Sequence, residues 1–443
     1  MPTPAARGWS TRVLILAVVI AGALAVLGAV AFWPRGDAPE LGVRPNTYVD
    51  ATVTAVDAGS CFEPEIDAPG DCQIVTADLS SGADAGDSVE FEVRATQFDV
   101  PEMAPGDRVV LLDVTTAPPQ YRYSFHDFQR STPLVWLVGA FVLVVVAFGR
   151  WQGVRALAGL AASGAVLVAF LVPALLRDEP AVPVALAATV IIAFLALYLA
   201  HGVNIGTTVA LAGTLVSLAV VSGLALVVVG ATRLTGLVGS EAQTLRVTAE
   251  ALDLRGLLVA GIVVGALGVI DDVTVSQVSI VAALRRANPG LPRPLLYREA
   301  ARVGRDHVAA TVNTLMLAYA GAALPLLLFF AQGDQPAGRL LTSEIISVEV
   351  VRMLVGSIGL VASVPITTAL AVAVFGTGER VHRREPGWGS GIEGPDRGDD
   401  DADHVTPPDD DAPAHAARSR RRRKARGRAL AEWDTLSPAE DAR

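Results

Sequence analysis

The chain is poor in charged residues and in cysteine. Only 18% of its 443 residues are charged, whereas 52% are hydrophobic, and its mean hydropathy is +0.46. This balance excludes an ordinary soluble globular protein and favours one whose helices cross a membrane several times. The two cysteines, Cys61 and Cys72, are too few for a cysteine-ligated metal cluster.

Sequence motifs of common enzyme classes are also lacking. The chain has no G-x-S-x-G nucleophile elbow, no H-E-x-x-H zinc motif and no G-x-x-x-x-G-K-[ST] phosphate loop. An intramembrane aspartyl protease needs two aspartates on facing helices, whereas Asp271 and Asp272 are adjacent on one segment. We therefore expect a protein that is not an enzyme and that binds no cofactor, no resident metal and no nucleic acid.

Eight apolar segments are long enough to span a membrane, and they predict a polytopic α-helical membrane protein with the lipid bilayer as its partner. Basic residues favour the cytoplasmic side, and six arginines fall within residues 285–307 against two acidic residues. This loop, the turn at Arg150 and Arg155 and a basic tail predict that both termini are cytoplasmic. The predicted spans are residues 13–33, 133–148, 156–176, 181–200, 207–229, 254–284, 308–330 and 350–375.

Polar regions flank the spans. Residues 34–132 contain 18 acidic residues and 6 arginines, which is typical of an extracytoplasmic segment, and alternating β-branched residues predict a small β-rich, OB-like domain. Cys61 and Cys72 would form a disulfide there or, alternatively, stay as two free buried thiols. Residues 1–12 are expected to be a cytoplasmic N-terminus. Acidic and basic blocks in residues 376–443 predict a disordered cytoplasmic tail.

Two adjacent carboxylates, Asp271 and Asp272, lie inside the apolar run of residues 254–284. Hydrocarbon strongly disfavours ionised side chains, so such residues face a bundle interior or a wet cavity. They either bind an ion or solute or hydrogen-bond to neighbouring helices in a purely structural role. The candidate oxygen ligands are Asp271, Asp272, Thr274, Ser276, Ser279, Asn313 and Thr367.

The spacing of these residues predicts how they are arranged. Asp272, Ser276 and Ser279 follow an i, i+4, i+7 pattern and share one helix face, while Asp271 and Thr274 lie on the neighbouring face. Asn313 would either complete the polar site or only join two helices by a hydrogen bond. Pro365 is expected to interrupt the last span near Thr367, where freed backbone groups could line a cavity.

Several stretches of the apolar region resemble the YibE/F-like family of bacterial membrane proteins. The resemblance covers roughly residues 133–375 and implies a plasma-membrane protein of about eight spans with an extracytoplasmic N-terminal domain. It implies no established activity and assigns no role to the aspartates. The stretches are GRWQGVRALAGL (149–160), GVNIGTTVALAGTL (202–215), GALGVIDDVTVSQ (265–277), VNTLMLAYAGAALPLLL (312–328) and SEIISVEVVRMLVGSIGLVASVPITTAL (343–370).

Two functions fit these observations. The first is a secondary transporter or channel for a cation, a proton or a small solute, with Asp271 and Asp272 as the binding groups. The second is a non-transporting envelope assembly protein or receptor whose outer domain binds a partner, in which the intramembrane polar residues are structural. The sequence leaves the substrate and the oligomeric state open.

Overall fold

Long helices and one small sheet make up the computed structural model. The structure describes residues 4–36, 47–60, 71–94, 103–238, 242–243, 252–331, 336, 338–339 and 342–376. The predicted tail of residues 376–443 therefore lies, apart from residue 376, outside the described residues. Cys61 is also outside them, and of Cys72 only the backbone is described, so the predicted disulfide stays a prediction.

The helices follow the long apolar runs of the sequence. An α-helix pairs its backbone N–H and C=O groups within itself, and hydrocarbon therefore permits an apolar run to span it as a helix. In chain order the helices are α1 (Pro4–Ala31), α2 (Ser131–Val166), α3 (Val172–Leu175), α4 (Ala181–His201), α5 (Ile205–Ala231), α6 (Leu254–Ala287), α7 (Arg293–Ala322), α8 (Leu324–Ala331) and α9 (Glu344–Phe375). A π-helical turn, Leu167–Leu171, joins α2 to α3.

Six helical segments in the described part of the chain are long and apolar enough to cross a membrane. They are Thr11–Ala31, Ser131–Leu175, Ala181–His201, Ile205–Ala231, Leu254–Ala287 and Glu344–Phe375. The count differs from the predicted eight in two places. The second and third predicted spans fall in one segment of 45 residues, and the predicted span at residues 308–330 is divided between α7 and α8.

The 45-residue segment is bent at Arg150. This residue has φ 51° and ψ −130°, which is not a helical conformation. Gly153 approaches the backbone carbonyl of Val145 so closely that an added Cβ would overlap it. Residues eight positions apart in a straight α-helix are separated by about 12 Å along the axis. The chain therefore changes direction at Arg150, between the two predicted spans.

The largest hydrophobic core lies where α4, α5, α6 and α9 pack together. Val221 of α5, Ile270 of α6 and Val355 of α9 are each at most 1% exposed. Gly359 of α9 makes close packing possible, because an added Cβ there would overlap a methyl group of Val221. α9 is continuous across Pro365, so the predicted interruption is wrong; proline removes a single backbone N–H from the helix.

The polar region of residues 34–132 contains a curled antiparallel sheet. Its strands are β1 (Thr47–Ser60), β2 (Asp71–Leu79), β3 (Ser88–Arg94), β4 (Arg108–Asp113) and β5 (Tyr123–Phe128), in the spatial order β3-β2-β1-β4-β5. Alternate residues such as Val49, Val75 and Leu111 are at most 2% exposed and form one apolar face. The two edge strands, β3 and β5, approach each other, which curls the sheet around this core.

An ion cluster joins β4 and β5 to the turn after β2. The guanidinium of Arg122 lies 2.8 Å from Asp113 and 2.6 Å from Asp84, and the Tyr123 hydroxyl donates to Asp84 at 2.7 Å. The hydrogen bond from Tyr123, followed by the charge of Arg122, holds the pKa of Asp84 below its ordinary value. Burial, together with the hydrogen bond to Asp84, raises the pKa of Tyr123 to about 12.

Candidate functional site

The two aspartates lie near the middle of α6 but in different surroundings. α6 begins after Asp253, whose side chain accepts a hydrogen bond from the backbone N–H of Gly256 at 2.9 Å. Its apolar side, including Ile270 and Val273, packs against α5, α9 and α7. Asp271 and Asp272, which lie between these two residues in the sequence, project from other sides of the helix. Asp271 is half-buried and Asp272 is exposed.

Asp271 has a buried oxygen without a protein partner. Its Oδ1 atom is inaccessible to solvent, and among the described residues no donor hydrogen-bonds to it. One turn further along α6, the fully buried Thr274 donates to the backbone carbonyl of Asp271 at 2.9 Å and shares a 2.8 Å hydrogen bond with Thr214 of α5. Thr274 therefore connects the backbone of Asp271 in α6 to Thr214 in α5 through hydrogen bonds.

A second buried oxygen without a partner belongs to Thr367 of α9. Its Oγ1 atom makes no hydrogen bond to any residue in the part of the chain that the structure describes. Thr367 is fully buried and packs directly on Gly213, because a Cβ added there would overlap Oγ1 and lie 3.1 Å from both the Cβ and Cγ2 atoms. Gly213 is the neighbour of Thr214, so Thr274 of α6 and Thr367 of α9 contact adjacent residues of α5.

Most other buried hydroxyl groups near this level are satisfied within their own helix. Ser217 donates to Gly213 O at 2.8 Å, Ser363 to Leu360 O at 2.7 Å and Thr368 to Val364 O at 2.6 Å. This pattern is common for serine and threonine in apolar helices. A hydroxyl that donates to a carbonyl keeps its oxygen lone pairs, so these groups can still accept a hydrogen bond or ligate a cation.

Gln277 joins three helices one turn beyond Thr274. Its amide nitrogen donates to Ala300 O of α7 at 2.9 Å and to Thr368 Oγ1 of α9 at 2.7 Å, and the residue is 1% exposed. Gly304 leaves room for it, since an added Cβ would lie 2.5 Å from Gln277 Oε1. The residue was not among the predicted ligands, although a glutamine inside an apolar run is itself a signal of interhelical hydrogen bonding.

The remaining predicted ligands lie away from the buried cluster. Ser276 is half-buried, Ser279 is exposed on the same face of α6 as Asp272, and Asn313 is exposed on α7. The structure therefore links Thr274 to the backbone of Asp271 and to Thr214, places Thr367 against Gly213, and leaves Asp272 and Ser279 exposed and Ser276 half-buried. Asn313 belongs to neither group.

An open cavity of about 250 Å³ lies at the end of the bundle where α4 ends and α5 begins. Ser279 and Arg286 of α6 line it together with His201, Asn204 and Thr207. Asn204 begins α5: its side-chain oxygen accepts from Thr207 N at 3.0 Å, and its amide nitrogen donates to His201 O at 3.1 Å. Ser279, on the same face of α6 as Asp272, lines this cavity.

A family model described as YibE/F-like protein matches residues 137–377, which is more than half of the chain. The chain belongs to the YibE/F-like family. The match includes α4 to α9, and with them every candidate ligand. Neither the comparison with curated proteins nor that with solved structures found a match. Membership in the YibE/F-like family and the six apolar helices together support a protein that spans a membrane, and they assign it no activity.

Proposed function

We propose that the membrane region of this YibE/F-like protein is a secondary transporter or channel, and that Asp271 binds the transported or coupling cation, a proton included. The observation that carries the proposal is the buried Oδ1 atom of Asp271, for which the described residues supply no hydrogen-bond donor. A buried carboxylate without a partner is strongly destabilising unless a proton or a cation neutralises it.

The surroundings of Asp271 suit such a ligand. Thr274 places a hydroxyl oxygen beside the backbone carbonyl of Asp271, Thr214 adds a second that hydrogen-bonds to Thr274, and Thr367, packed on the neighbouring Gly213, adds a third that is buried and has no partner among the described residues. Hydroxyl and carboxylate oxygens are the ligands that hard cations prefer. Because these groups come from α5, α6 and α9, a relative movement of the three helices would change the ligand set, as alternating access requires.

The proposal includes a topology of eight spans in the bacterial plasma membrane, with both termini in the cytoplasm. The two parts of the 45-residue segment, on either side of Arg150, are two separate spans in this topology. The C-terminal half of α7 forms a further span together with α8. The six arginines of residues 285–307 support the cytoplasmic position of the α6–α7 loop. The strand order β3-β2-β1-β4-β5, with the two edges close together, supports an OB-like outer domain.

The test is ligand-dependent stability of the full-length protein in nanodiscs. Thermal unfolding is measured from pH 5 to pH 9 and in Na⁺, K⁺, Mg²⁺, Mn²⁺ or Zn²⁺, with choline replacing the cation at constant ionic strength. A ligand that binds only the folded state stabilises it by about 2.7 kcal/mol at one hundred times its Kd. We expect one cation, or acid pH, to stabilise the wild type and to have no such effect on Asp271→Asn.

The matched control is Asp178→Asn. Asp178 is an exposed carboxylate in the turn between α3 and α4, and its φ of 58° suits asparagine equally well. This variant should keep the full ligand response of the wild type. A response that survives in Asp271→Asn, or a wild type that responds to no cation and to no pH change, would contradict the proposal and favour the receptor or assembly function of the outer domain.

A further inference from the structure

One face of α6 lines the cavity beside His201. Val275, Ser279, Ala282 and Arg286 line it, and these positions repeat at intervals of four, three and four residues. Asp272 precedes Val275 by three residues and therefore lies on the same face, one turn deeper in the bundle. It is exposed, and its neighbour Asp271 is half-buried. The helix face that lines the cavity therefore also carries Asp272, one turn beyond Val275.

The mouth of the cavity is basic. The exposed Arg286 and His201 both line the cavity. Arg155 is held at the end of α4, where its Nε donates to Leu199 O at 2.8 Å. Fixed positive charges at an entrance repel metal cations. These charges repel protons as well, but a proton can be passed along water molecules and through the imidazole of a histidine, a route that is closed to metal ions.

The composition of the cavity also favours a proton over a divalent metal ion. Where the structure describes the chain, no group of three or more histidine, cysteine, aspartate or glutamate side chains converges. The volume of about 250 Å³ accommodates several water molecules, each of which occupies about 30 Å³ in the liquid. His201, Asn204, Thr207 and Ser279 supply polar groups for such waters along the wall.

We propose that this cavity is a water-filled inlet through which protons reach Asp272, and then Asp271, from the side of the membrane that carries Arg286. The inference rests on the proposed function and names its ion and its route of entry. In the proposed topology that side is the cytoplasm. The titratable and charged groups that face the route are His201 of α4, Arg155 of α2, and Asp271 and Arg286 of α6.

Cysteine accessibility tests the inlet without requiring transport. Ala282→Cys places a thiol in the cavity, and Ala373→Cys is a matched control. Ala373 is an exposed alanine near the same end of α9, but it lines an apolar groove with Val13, Leu14 and Leu370. A charged, membrane-impermeant methanethiosulfonate reacts with the thiolate, which forms readily in water and poorly in an apolar site. The parent protein with its two native cysteines gives the background.

We expect Ala282→Cys in inverted membrane vesicles to react at least about tenfold faster than Ala373→Cys, and to stay unlabelled in intact cells. Equal rates at the two positions would overturn the inlet, and so would labelling from the outside. In proteoliposomes with an internal pH-sensitive dye and a potassium diffusion potential, labelling of Ala282→Cys should lower proton flux at least about tenfold, whereas labelled Ala373→Cys should keep its flux.

The outcomes separate the inlet from the proposed function. Unchanged proton flux after complete labelling of Ala282→Cys overturns the inlet even if Asp271→Asn abolishes the ligand response. A missing ligand response in the stability test contradicts the function of Asp271, and the labelling ratio then still decides whether water fills the cavity. Ala282 lies outside the ligand cluster, so its substitution should leave the stability of the unlabelled protein near that of the wild type.

Discussion

Substitution of Gly213 by alanine tests the packing at the centre of the candidate site. The new Cβ would overlap Oγ1 of Thr367 and lie 3.1 Å from two of its carbon atoms. Thr367 is fully buried on α9, and a β-branched side chain in a helix has few alternative rotamers. The clash must therefore be relieved by separating α5 from α9, and overpacking of this kind destabilises by about 1–3 kcal/mol.

Gly223→Ala on the same helix is the control. An added Cβ at Gly223 meets no described atom within 4 Å. Both substitutions gain helix propensity of roughly 0.5–1 kcal/mol, because glycine loses more conformational freedom than alanine in a helix. That gain cancels in the comparison, so Gly213→Ala should be less stable than Gly223→Ala by about 1–3 kcal/mol. The assay is denaturant unfolding of the full-length protein, followed by tryptophan fluorescence.

The double variant Gly213→Ala, Thr367→Ala shows whether the clash is with Thr367. Thr367→Ala removes both the Oγ1 and the Cγ2 atoms that the new methyl group would meet. Residues in direct contact show coupling energies of about 0.5–3 kcal/mol, so most of the loss in Gly213→Ala should be recovered. If Gly213→Ala and Gly223→Ala are equally stable, α5 and α9 do not approach at this level and the geometry of the candidate site is wrong.

Two further predictions concern other parts of the chain. Tyr123 and Arg122 hold the pKa of Asp84 below its ordinary value in the folded protein. The ionised Asp84 therefore contributes its full stabilisation above its unfolded-state pKa of about 4, and this contribution is lost as the pH falls through the lower folded-state pKa. Asp84→Asn should therefore weaken hydrogen-exchange protection of the sheet at pH 7 and make it less dependent on pH below about 4; equal protection at pH 7 would contradict this. Arg150→Gly should raise the unfolding free energy by about 1 kcal/mol, since φ 51° is strained for arginine, and a loss would show that the Arg150 side chain is needed.

The helices could be predicted from the sequence because their apolar runs are long and their ends are marked by turn residues. The prediction of residues 181–200 corresponds to Ala181–His201, and that of residues 207–229 to Ile205–Ala231. The β-rich domain of residues 34–132 could be predicted from its alternating β-branched residues, whereas the strand order could not, because pairing depends on contacts between distant residues.

The candidate site could be predicted only in part. Two carboxylates inside an apolar run are conspicuous in any sequence, so Asp271 and Asp272 were found. Which of them is buried depends on how α6 is rotated against α5 and α9, and spacing along one helix does not determine that rotation. Thr214 and Gly213 were missed as partners, because they lie about 60 and 150 residues from the side chains that they contact.

Gln277 and Asp271 of α6 differ in how their buried polar atoms are satisfied. Gln277 is buried at 1% exposure, and its amide nitrogen has two partners on two other helices. This is the arrangement expected of a polar group that holds a bundle together. Asp271 is about 1.7 turns away, carries the more expensive group to bury, and has an inaccessible oxygen with no donor among the described residues. Gln277 provides such a donor for Thr368, whereas the described residues provide none for Oδ1 of Asp271, and the proposed ligand-binding role of Asp271 rests on this difference.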